Sequence, residues 1–134
     1  VTADSLVYSL VQLIHNFGAA FAVGTPVVWL WRGPPLRSVS KRMLAMVAVL
    51  WLLQALSGAG FGMASWWFYG ALPDLNSAAA SALSVKIVCA LAAVVLCSWA
   101  LLRRGGAERH AVWVALMLLA ATALGAAAFL RWTA

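Results

Sequence analysis

Few side chains in this 134-residue chain could do chemistry, and most of them lie inside long apolar runs. His15 stands with Gln12 and Asn16 in the first run, Gln54 and Ser57 in the second, and Lys86, Cys89 and Cys97 in the third. An imidazole, an ammonium or an amide in hydrocarbon is costly, so each calls for a partner or a ligand. Helical spacing places Gln12, His15, Gly18, Ala19, Ala22 and Pro26 on one small and polar stripe. Leu6, Leu10, Leu13, Phe17 and Phe21 are left for the lipid side. His15 sits about 15 Å from the outer end of its helix at 1.5 Å per residue. Lys86 enters its own helix nearer that same face, and its long stem closes much of the difference. His15, Lys86, Gln54 and Gln12 are therefore the candidate cofactor-binding residues, and His15 is the candidate metal ligand. The competing reading makes these groups hydrogen-bonding glue between helices, with Lys86 snorkelling to the phosphate layer.

The chemistry open to this set is narrow. His110 follows Arg109 at the opposite end of the molecule, most of a helix length from His15. One haem between the two histidines is not expected, although His15 could still serve as one axial ligand. Soft thiolates and thioethers would select Cu(I), but Cys89 and Cys97 are separated by about 12 Å of helix axis. They can share neither an ion nor a disulfide, and free Cys in an apolar helix packs as a small hydrophobe. The stretch Gly58-Ala59-Gly60-Phe61-Gly62 lacks the spacing and strand–helix context of a nucleotide loop. Gly18 with Ala22, and Gly58 with Gly62, read instead as close helix-packing positions. Asp4, Asp74 and Glu108 fall in loops or at ends, which leaves no carboxylate inside the membrane for a proton relay.

Elements that could position such residues follow from composition. The chain is 66% hydrophobic and 9% charged, whereas a soluble domain carries about 45–50% apolar and about 25% charged residues. A cytosolic enzyme, a disordered tail and a disulfide scaffold are excluded. No charge occurs between Asp4 and Arg32 or between Met43 and Pro73. The run from Ala79 to Leu102 is broken only by Lys86, and the last extends from Ala111 to Leu130. Each approaches or exceeds the roughly 20 residues of a transmembrane helix. These runs predict one all-α domain over 1–134, with helices at about 5–31, 43–69, 79–102 and 110–131. Gly33-Pro34-Pro35, Pro73-Asp74 and Gly105-Gly106 supply the breaks, with Asn76 or Ser77 capping the third helix. Short connections imply an antiparallel up-down bundle.

Charge placement gives orientation. Of nine basic residues, Arg32, Arg37, Lys41, Arg42, Arg103, Arg104 and Arg109 gather in the first and third connections. Basic short loops stay cytoplasmic, so both termini and the middle loop should lie outside, in the periplasm of a bacterial inner membrane. The net charge of +6 is thus a topology signal, and no nucleic-acid partner is expected. Trp29, Trp31, Trp99 and Trp113 are expected at the inner interface, and Tyr8, Trp66, Trp67, Tyr69 and Trp132 at the outer one. The first run lacks a basic n-region and is too long for a cleaved signal peptide.

The segment LIHNFGAAFAVG resembles the first helix of the CopD-like four-helix membrane module and, more distantly, of HemJ-like protoporphyrinogen oxidases. LSVKIVCALAAVVLCSWALLRR resembles their third helix, in which a Lys opens a long aliphatic run, and WVALMLLAATALGAAAFL resembles their last. The resemblance implies copper handling or haem b, with His15 and Lys86 as the residues carried over.

Three functions are consistent with these residues. The first is a small integral membrane subunit or accessory protein of a larger respiratory or redox complex, without a catalytic centre of its own. The second is a haem- or copper-handling membrane protein using His15 and Lys86. The third is a homo-oligomeric transporter of a small substrate. Expected partners are the bilayer and other membrane subunits or further copies of this chain.

Overall fold

The computed structural model describes residues 2–133. Its elements are α1 (Ala3–Arg32), α2 (Arg37–Tyr69), α3 (Ser77–Leu102), a short 3-10 turn (Gly106–Glu108) and α4 (His110–Thr133). No strand occurs among the described residues. At 1.5 Å per residue the helices measure about 45, 50, 39 and 36 Å, against about 30 Å of hydrocarbon. All four are long and apolar enough to cross a membrane.

The local sequence explains the boundaries. Pro26 lies inside α1 and has no N–H to donate, and Thr25 Oγ1 beside it donates to the Phe21 carbonyl at 2.8 Å. The helix stops at Gly33, whose φ of +81° few other residues adopt. Helix α2 begins at Arg37, six residues before the apolar run that predicts it. Hydropathy marks only the slab inside the lipid, while Arg37, Ser38, Lys41 and Arg42 extend the helix into the interface. Asn76 is the cap of α3, its Oδ1 accepting the Ala79 N–H at 2.8 Å. Gly106 bends the chain so tightly that a Cβ there would overlap the Ala100 carbonyl oxygen.

Packing is square. α1 lies against α2 and α4, and α3 against the same two, while the diagonal pairs make no close backbone approach among the described residues. The dense part of the core gathers near the basic connections. Trp29 and Trp113 stack there at 4.9 Å between ring centroids and 11° between planes, among Leu44, Val47, Cys97, Ala100 and Leu116. Their N–H groups donate to Ser40 Oγ at 3.3 Å and to the Ala107 carbonyl at 2.9 Å. At 2% and 0% exposure, these two indoles are buried between the helices near the ends where they were expected. Nearby polar acceptors let them act as an aromatic plug inside the bundle. Trp31, Trp66, Trp67, Tyr69 and Trp132 are exposed, as belt residues would be. Arg37 Nε lies 3.2 Å from Glu108 Oε1, tying the two basic connections together. At the far end the Tyr69 hydroxyl donates to Asp4 at 3.0 Å, joining the start of α1 to the end of α2.

Candidate functional site

Beyond the aromatic plug the helices part around a cavity of about 560 Å3, lined by all four. That volume falls within the range of about 300–1,000 Å3 usual for small-molecule sites. Its wall is apolar except at His15, Gln54 and Lys86, with Trp51 and Ala120 toward the plug. Three of the four candidate binding residues are therefore brought together.

His15 is half-buried on α1 and held by α2. Its Nδ1 lies 2.8 Å from Ser57 Oγ, and its ring meets Phe61 edge-on at 5.8 Å. Ser57 Oγ is also 2.7 Å from the Leu53 carbonyl. A hydroxyl has one proton to give; with that proton on Leu53, Ser57 accepts Nδ1–H. In that arrangement a neutral His15 ring keeps its lone pair on Nε2. Gln54 Nε2 donates to the His15 backbone carbonyl at 2.7 Å, which pins α1 to α2. Gly18 makes that contact possible, because a Cβ there would overlap Gln54 Nε2.

Lys86 lines the same cavity and is half-buried. Among the described residues no hydrogen bond or ion pair reaches its ammonium. Trp51 adds a second unmet donor: it is 4% exposed, lines the cavity, and its Nε1–H is buried without an acceptor. Sequence reasoning overlooked Trp51; the available signal was a tryptophan in mid-span, three residues before Gln54 and far from either interface.

Gln12 is not part of this site. It is exposed on α1, and its Nε2 donates to Asn16 Oδ1 at 2.8 Å, also exposed. The polar stripe read from the sequence spans too wide an arc, so one edge turns inward at His15 and the other turns outward at Gln12. Ala22 is buried, as a packing position requires. Gly58 and Gly62 border the cavity instead, where an added Cβ would find its nearest neighbours at 4.0 and 3.7 Å, ordinary contact distances. Helix α2 therefore does not pack tightly through them.

The cavity is a poor fit to a metal centre. No group of three or more His, Cys, Asp or Glu gathers among the described residues, and no Cys or Met lines the cavity. Cys89 and Cys97 are buried and free in the helix core. His110 is exposed beside Trp29, at the plug end. A copper ion would find His15 alone, and a haem only one imidazole.

Compared with protein families, curated proteins and solved structures, the chain matches none. The resemblance of its first and third helices to CopD-like modules thus carries no family assignment.

Proposed function

We propose that the chain is a small integral membrane subunit that docks, through the outward face of α1, onto a helix of another protein in a larger membrane assembly. The observation carrying this reading is the exposed Gln12–Asn16 amide pair. At about 14 Å and about 20 Å from the start of a 45 Å helix, these amides fall at hydrocarbon depth. Their mutual hydrogen bond satisfies one donor and one acceptor and leaves the others without water. Amides in lipid find partners on neighbouring helices. Ala20 and Gly24 continue the face at four-residue spacing, and a Cβ on Gly24 would meet nothing within 4 Å. A shallow groove along Asn16, Ala20, Gly24 and Val27 thus lies open to a partner backbone.

Topology belongs to the same reading. Contacts of Trp29 with Ser40 and of Asp4 with Tyr69 support an antiparallel, up-down arrangement. Seven basic residues at the plug end favour that end as cytoplasmic, with both termini on the outside of a bacterial inner membrane. A respiratory or redox assembly is the setting proposed for the partner.

Gentle solubilisation of the tagged chain from its native membrane tests the docking. A partner should co-purify in fixed stoichiometry and be lost from the Gln12→Leu/Asn16→Leu double variant and from Gly24→Leu. None of these changes touches the bundle interior, so thermal stability should hold. Purification of the unaltered chain as a lone monomer, or with further copies of itself and nothing else, would contradict the proposal.

A further inference from the structure

The cavity carries a second inference, independent of the docking face. We propose that it is a binding site for an amphiphile with a single anionic head and an apolar tail, which enters sideways from the bilayer between α2 and α3 and pairs with Lys86. A cation at this depth is expensive unless it is paired. The acidic residues of the chain are Asp4, Asp74 and Glu108. Asp4 takes its hydrogen bond from Tyr69, and Glu108 faces Arg37 at the other end. The other polar side chains lining the cavity are His15 and Gln54, and no carboxylate is among its lining residues. The missing component is a negative charge; the unmet Trp51 N–H is a separate donor, toward the plug.

The rest of the cavity specifies the tail. On α3 the lining runs from Leu83 to Val95, about 18 Å of axis, and beyond the polar spot it is aliphatic. Leu52 of α2 and Leu91 and Val95 of α3 line the cavity and are also exposed on the outside of the bundle. The seam between those helices is therefore a side entrance from the hydrocarbon. A ligand arriving that way must partition into lipid, which a small hydrophilic anion does not. A fatty carboxylate and a single-chain alkyl phosphate share the required chemistry.

Quenching of Trp51 by dibromostearate, with the full chain in neutral phosphatidylcholine discs, reads binding directly. Quenching should saturate and should fall in Trp51→Phe. Palmitate should displace the probe, while methyl palmitate and acetate should not. Lys86→Leu should weaken binding by about tenfold to hundredfold, the range of a charge-assisted hydrogen bond. Lys86→Arg should bind within a few-fold of the unaltered chain. Hexadecyl phosphate separates the sources: stronger competition than palmitate marks a phosphate-headed lipid, and weaker competition marks a fatty acid. Displacement by methyl palmitate as effective as by palmitate would overturn the inference. So would Lys86→Leu binding like the unaltered chain, or quenching that does not depend on Trp51. If Lys86→Leu does not fold, the comparison of acid with ester decides alone.

Discussion

Gly18 shows how much a single missing methyl group can decide. Gln54 reaches across the α1–α2 contact to the His15 carbonyl through the space a side chain at 18 would fill. Gly18→Ala should therefore destabilise the bundle by about 1–3 kcal/mol, as overpacking does. Thermal unfolding in detergent would measure this, and Gly18→Ala/Gln54→Ala should recover much of the loss because the colliding amide is gone. The convergence of His15, Gln54 and Lys86 was legible from helical spacing and depth alone. The place of Gln12 was not. Three residues rotate the helix by about 300°, so Gln12 and His15 can belong to neighbouring faces, and only packing decides where the border falls.

Among the elements, α1 and α4 are joined by the Trp29–Trp113 stack. Trp113→Ala empties a fully buried site and should cost about 3–5 kcal/mol, read as a lowered melting temperature. Trp31→Ala, at an exposed position on the same end, should cost far less. An unchanged melting temperature in Trp113→Ala would mean that the plug does not hold the bundle. Helix existence was readable from charge-free runs, because lipid demands about 20 apolar residues whatever the fold. The inward turn of the two indoles was not, since an interfacial Trp and a buried one near a helix end look alike in sequence. The early start of α2 was missed for a related reason: hydropathy reports the solvent, while hydrogen bonding continues past the lipid boundary.

At the scale of the whole molecule the bundle is asymmetric, with a dense aromatic plug beside the basic connections and a cavity toward the opposite end. The orientation proposed for it makes Asp74 external and Ser38 cytoplasmic. An impermeant maleimide applied to intact cells should label Asp74→Cys and spare Ser38→Cys; the reverse pattern would invert the topology. Native Cys89 and Cys97 are buried and should contribute little background. Charge-free runs and basic connections already contained the four-helix outline, whereas the cavity arises where helix faces part and has no local sequence signature.

The docking proposed above sets another protein against the outer face of α1. A photo-crosslinking amino acid at Gln12, activated in native membranes, tests it most directly against one at Leu56, which is 71% exposed on α2. Docking should give a discrete protein adduct from position 12 that Gly24→Leu abolishes, and only lipid adducts from position 56. Lipid adducts alone from position 12 would contradict it, since the Gln12–Asn16 pair would then face the bilayer with no partner.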